Sequence, residues 1–158
     1  MCLIWVMAAS ITRARRSDAV KQFSIFTANR LGRLHDVIAL LGSRNIHVLA
    51  LTVLDTTDSS IIRLVVDDPE QARAVFKEND FALTESELLV VELAAATDLP
   101  ALMAALLQAE VNVNYIYSFI PHPGGKSLLG LSMEDNEIAE QALRRHHFRV
   151  LKQSDILR

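Results

Sequence analysis

The chain carries one pattern twice. Setting "ANRLGRLHDVIALLGSRNIHV" from Ala28 above "LAAATDLPALMAALLQAEVNV" from Leu93 aligns the two stretches without a gap, at an offset of 65 positions. Leu34 then falls on Leu99, Val37 on Leu102, Ile38 on Met103, Leu41 on Leu106 and Ile46 on Val111. Few residues are identical, but the apolar positions coincide. Such a repeat is one supersecondary unit made twice, which restricts the architecture before any element is named.

Each copy shows the same order of elements. A β-rich run opens it, "KQFSIFT" in the first copy and "ELLVVELA" in the second. Apolar residues at helical spacing follow: Leu34, Val37, Ile38 and Leu41, answered by Leu99, Leu102, Met103 and Leu106. "IHVLALTVL" and "SIIRLVV" read as strands joined by the polar turn "DTTDS"; their counterparts "VNVNYIYSFI" and "SLLGLSM" are joined by "PHPGGK". Asp68-Pro69 opens a second helix, with Asp as N-cap and Pro at the first helical position, and Asp135 offers the same cap in the other copy. A last strand contains Phe81 or Phe148. This order, βαββαβ twice, predicts an α+β fold of two repeats, with antiparallel sheets and helices on one face. The expected boundaries are 18–87 and 88–158. Residues 1–17 read as a poorly ordered extension, or as an upstream start with Met7 the real one.

One strand asks for more cover than its own helices provide. In Ile46 to Val53, Ile46, Val48 and Ala50 form one alternating set and Leu49, Leu51 and Val53 the other, and both are apolar. A strand apolar on both sides is covered on both. The second face is therefore expected to meet the other repeat or another chain.

Composition removes several functions. Hydrophobic residues make up 51% of the 158, enough for a core in each repeat, and a net charge of −3 supplies no basic field for nucleic acid. The only cysteine is Cys2, so no intramolecular disulfide or cysteine metal cluster forms, and a cytoplasmic location fits best. "MCLIWVMAA" is too short to span a bilayer. No membrane partner is expected.

Most apparent motifs dissolve on inspection. "GGKS" at Gly124 to Ser127 lacks the upstream glycine of a phosphate loop, since position 120 is isoleucine, and is followed by a strand; it reads as a hairpin turn. His146 and His147 are adjacent, and His35, His47 and His122 lie in three different elements, so no metal site is expected. No serine or cysteine has a recognisable base arrangement nearby, and no catalytic residue is assigned. "NRLGRL", Asn29 to Leu34, is different. Gly32 before a helix permits positive φ or close backbone approach, and the first helical amides suit a carboxylate. The plain alternative is a tight turn capped by Asn29. The matching "AAATDL" of the second copy has neither Asn nor Gly. Its following strand instead carries Asn112, Asn114, Tyr115, Tyr117 and Ser118, which are either solvent-exposed or line a site.

Asn29-x-x-Gly32-x-Leu34 between a first strand and first helix, inside a repeated βαββαβ, resembles the ACT domain, a ferredoxin-like regulatory fold that binds small molecules. The resemblance covers residues from about 20 to 154 as two copies, and the first copy also looks like the ACT segment of acetolactate synthase regulatory subunits. It implies a non-catalytic amino-acid sensor without cofactor, acting by favouring one arrangement of domains. It also implies side-by-side association, here a homodimer, with ligand held between the loop after the first strand and the second strand of a neighbour. Carried over, the loop is Asn29, Arg30, Leu31, Gly32, Arg33 and Leu34. The neighbouring-strand residues are Asn112, Asn114 and Tyr115, with His47 behind them. The altered second loop implies one good site per chain. The implied partner is an amino-acid biosynthetic or catabolic enzyme; the alternative is a regulatory subunit of an enzyme such as acetolactate synthase, acting mainly by protein contact. An RNA-recognition module of the same topology would show aromatics on "SIIRLVV", which has none.

Overall fold

A computed structural model describes residues 17–121 and 125–157. Of the expected N-terminal extension all but Ser17, including Met7, lies outside the described residues, as do His122, Pro123 and Gly124 of the "PHPGGK" turn. The first copy runs β1 (Val20–Ala28), α1 (Arg33–Ser43), β2 (Val48–Asp55), β3 (Ser59–Val66), α2 (Pro69–Glu78) and β4 (Ala82–Leu93). The second continues through a 3₁₀ turn (Ala96–Asp98), α3 (Leu99–Gln108), β5 (Val113–Ser118), β6 (Ser127–Met133), α4 (Asn136–Arg145), β7 (Arg149–Leu151) and a short α5 (Gln153–Ile156).

The last strand of the first unit and the first strand of the second are one. "ALTESELLVVEL" contains no glycine or proline to stop it, so β4 extends through 12 residues and serves both units. Its first half pairs with β1 from Phe26↔Ala82 to Val20↔Leu88, and its second half pairs with β6 from Leu89↔Leu131 onward and with β7. The resulting antiparallel sheet has the order β2-β3-β1-β4-β6-β5, with β7 also on β4.

Local chemistry repeats along with topology. Asp68 and Asp135 cap α2 and α4, accepting from the amides of Gln71 and Ile138 at 3.0 Å. Left-handed residues close corresponding helices: Asn45 and Glu110 after α1 and α3, Asp80 and His147 after α2 and α4, with φ between 55° and 63°. Just before β2, the backbone amide of Asp67 bonds the carbonyl of His47; the equivalent bond joins Glu134 to Asn112.

Each half-sheet buries one face under its own helices. Phe23, Ile25, Leu41, Ile62, Leu64 and Phe76 centre the first core, where Phe76 meets Phe23 and Phe81 edge-on at 5.6 Å between ring centroids. Val91 of β4 is fully buried in the second core, with Leu102, Leu106, Leu131, Met133 and Leu143. The sheet then curls so that the two helix-free faces meet, burying Val20, Ala50 and Val65 against Phe119 and Leu151, with Leu88 and Val90 of β4 between. That meeting is the cover β2 required. One detail differs from simple alternation: a register shift between Val48 and Ala50 makes Leu49 a bulge, so Val48 and Leu51 share the helix side while Leu49 and Ala50 turn inward. β5 has the same shift between Val113 and Tyr115. Gly130 sets how closely the faces approach, because a Cβ there would lie 2.6 Å from Leu88 Cδ2.

Candidate functional site

The Asn29–Leu34 loop leaves β1 at the β2–β3 hairpin end, where the amide of Asn29 reaches the carbonyl of Asp58. Gly32 caps α1 with φ 87°, a left-handed conformation that costs glycine nothing. A Cβ at Gly32 would meet nothing within 4 Å, so space over this turn is open. Arg33 donates its amide to Arg30 and Asp36 donates to Gly32, which leaves the amides of Leu34 and His35 directed outward as at any helix start. Among the described residues no side chain caps this helix, Asn29 included. Asn29, Arg30, Leu31, Arg33 and Leu34 are all exposed, Leu31 completely so.

The corresponding loop of the second repeat is closed on itself. Asp98 turns its carboxylate back and accepts from the amides of Ala94 at 3.0 Å and Ala95 at 3.1 Å. A carboxylate thus already occupies backbone donors in this loop. Arg33 stands at the matching position of the first repeat and supplies no such group.

The remaining expected residues are spread along the seam between the half-sheets. An antiparallel bridge Ala50↔Phe119 runs β5 against β2, so Asn112, Asn114 and Tyr115 lie toward the Asp55 end, the end that carries the Asn29–Leu34 loop. His47 precedes β2 at the other end, separated from Asp55 by a strand length of roughly 26 Å at 3.3 Å per residue. The structure therefore separates His47 from the loop. His47 bonds Asp67 twice, through its amide at 2.9 Å and Nδ1 at 2.8 Å. Asn112 makes the equivalent bond to Glu134 at 2.9 Å. Asn114 is exposed at the bulge, and Tyr115 faces the interior seam.

At the seam, sequence reading missed a polar knot. Gln22 is fully buried; its amide nitrogen donates to Tyr115 Oη at 2.7 Å and Ser86 Oγ at 3.1 Å, and its oxygen accepts from Tyr117 Oη at 2.6 Å. Burial raises the Tyr117 phenol above its ordinary value of 10. Arg63 lies over the Tyr115 ring, 4.2 Å from its centroid. These groups join the repeats by satisfying one another, and nothing in "KQFSIFT" alone signals it. Beside His47 a cavity of about 560 Å³ opens between the repeats. Among the described residues no three histidine, cysteine, aspartate or glutamate side chains gather as a metal site, and no helix is long and apolar enough to cross a membrane.

Two βαββαβ units sharing a strand, with a glycine turn between first strand and first helix of one of them, define a tandem of ACT type, a class of regulatory rather than catalytic module. The chain belongs to the ACT domain pair family, whose model matches residues 18–158. It is similar to protein BT0572 from Bacteroides thetaiotaomicron, at 26% identity over 89% of this chain and 96% of that one, with a TM-score of 0.80. It shares its fold with the ligand-free regulatory subunit of aspartate kinase from Thermus thermophilus, at 17% identity over 82% and 91% of the two chains, with a TM-score of 0.58. The same subunit from Thermus flavus gives 18% identity, 82% and 91% coverage and a TM-score of 0.56. No curated protein matches the chain in sequence.

Proposed function

We propose that this chain is a non-catalytic regulatory protein that binds a free amino acid at the Asn29–Leu34 loop. The observation that carries the reading is the difference between the two loops. In the second, Asp98 fills the backbone donors; in the first, the turn is open, Gly32 leaves room above it, and the helix-start amides face outward. A ligand carboxylate on those amides would bring an anion to this loop, as Asp98 does in the other repeat on the amides of Ala94 and Ala95 ahead of the helix.

The loop needs a wall that one chain does not provide. Leu31, Leu34, Phe26 and Leu54 leave apolar surface exposed at this end. A second copy in a homodimer would cover it and bring a neighbouring strand, with the exposed Asn112 and Asn114 as the residues offered to the ligand, while Tyr115 stays in the seam of its own chain. Ligand shared between copies favours one arrangement, which a partner enzyme can read as a coupling free energy. The same exposed apolar residues favour the second reading, a regulatory subunit that acts by protein contact with an enzyme such as acetolactate synthase. Aspartate kinase regulatory subunits share the fold, so association with an amino-acid biosynthetic enzyme suits either reading.

The test is a thermal-shift panel of the twenty amino acids against the full chain and Gly32→Asn. Asparagine tolerates left-handed backbone, so the variant keeps the fold while its side chain covers the turn. A hundredfold excess over the dissociation constant stabilises by about 2.7 kcal/mol. A shift that Gly32→Asn removes supports the sensor reading. No shift with any amino acid moves the function to protein contact.

A further inference from the structure

The cavity beside His47 lies at the opposite end of the seam from the loop, and both repeats build it. His47 and Leu49 come from the first; Glu92, Phe119 and Arg149 come from the second; Ile156 closes it from α5. Its inner edge is fixed by the main chain, since Ile120 donates its amide to Leu49 at 2.8 Å next to the Ala50↔Phe119 bridge. About 560 Å³ is within the range of small-molecule sites.

The charges in its wall are unevenly committed. Glu92, mostly buried, holds two cations: Lys126 on one oxygen at 2.9 Å and Arg149 on the other at 3.3 Å. One carboxylate therefore faces two positive charges, and Arg149 spends a single long contact of its five donors. The other two carboxylates of the wall, Asp67 and Asp155, have hydrogen-bond partners away from these cations. Asp67 takes two bonds from His47, and Asp155 accepts from the Lys152 amide at 2.7 Å. Leu49, Phe119, Leu128, Leu151 and Ile156 supply apolar surface.

We propose that this inter-repeat cavity binds a small apolar monocarboxylate without an ammonium group, its carboxylate on Arg149 and Lys126 and its hydrocarbon on Leu49, Phe119 and Ile156. A ligand held there touches both repeats and stiffens their seam. The site is independent of the loop proposed above and selects different chemistry.

Calorimetric titration of the full chain with 4-methylpentanoate, 4-methyl-2-oxopentanoate and leucine tests it, because the three share a skeleton and differ at Cα. Both acids without ammonium are expected to bind, with leucine at least about tenfold weaker; the better of the two identifies a simple or an oxo acid. Arg149→Met, at a largely exposed side chain, is expected to weaken binding on the order of tenfold, the loss of a charged hydrogen bond. Ile156→Trp fills the space and abolishes binding, while Gly32→Asn leaves it unchanged. Failure of both acids to bind, unchanged affinity in Arg149→Met, leucine equal to the acids, or loss in Gly32→Asn would each overturn the proposal. An amino-acid shift sensitive to Gly32→Asn alone would leave the loop reading standing without it.

Discussion

The two repeats solve the same packing problem with different side chains. Offset by 67 positions in their second halves, Arg73 corresponds to Glu140 and Glu85 to Lys152. Arg73 binds Glu85 of β4 in the first repeat, and Lys152, just after β7, binds Glu140 in the second, so one clamp on the second helix survives with its charges exchanged. Arg63 corresponds to Gly130: one stacks on Tyr115, the other leaves room for Leu88 and Phe119. Gly32 corresponds to Thr97 at an offset of 65, and Arg33 to Asp98. What the topology requires is kept in both repeats as geometry, whereas what differs falls on the seam and on the loops. Binding is expected where the repeats differ.

The largest expected effect comes from the seam. Gly130→Val puts side-chain atoms into Leu88 and should destabilise by about 1–3 kcal/mol, seen as a lower urea midpoint. Arg63→Ala, at the matching position, should lose only the ring contact, about 0.5–1 kcal/mol. Equal losses would mean that the two half-sheets are not held apart differently. Gln22→Leu comes next: it strands the hydroxyls of Tyr115 and Tyr117 and should cost about 1–3 kcal/mol in the same assay. Asp98→Ala opens the second loop and should cost about 1 kcal/mol, as loss of a cap does, while Arg33→Ala should change stability by less than about 0.5 kcal/mol.

The charge-exchanged clamp gives the smallest effect and the sharpest internal control. Glu85→Lys should destabilise by less than about 1 kcal/mol, and adding Arg73→Glu should restore part of it, reproducing in the first repeat the polarity of the second but giving up the pair of Arg73 with Glu70. The bond from Arg73 holds the Glu85 carboxyl below its ordinary value of 4.5. Its contribution is therefore present above that value and lost as pH falls through the lowered one. Urea midpoints measured from pH 6 to pH 3 should fall, and Glu85→Gln should flatten the fall.

The fold was legible because its signals are local and repeated: helical spacing in Leu34 to Leu41, caps at Asp68 and Asp135, and one offset relating them. Two things were not. A single bulge residue reverses every later side chain of a strand, so Leu49 and Ala50 both face the seam where alternation places them apart. The fusion of two strands into β4 also hides in sequence, since a pairing switch between Leu88 and Leu89 needs no special residue. In the candidate site, Gly32 announces its conformation through residue type. His47 lies at the far end of the seam from the loop it was expected to support, because position along a strand says nothing of which neighbour lies opposite. Gln22, Glu92 and Arg149 escape a sequence reading for a related reason: Glu92 meets Arg149 through the pairing of β4 with β7, and Gln22 meets Tyr115 and Tyr117 through the curl of the sheet.

The most direct test of the account sets the two loops against each other. Thermal shifts with the amino acid that stabilises the wild-type chain most should be measured in Gly32→Asn and in Thr97→Asn, its counterpart. The account predicts that the shift vanishes in the first and persists in the second. A shift that survives Gly32→Asn, or that falls equally in both, would contradict the claim that the open turn of the first repeat receives the ligand.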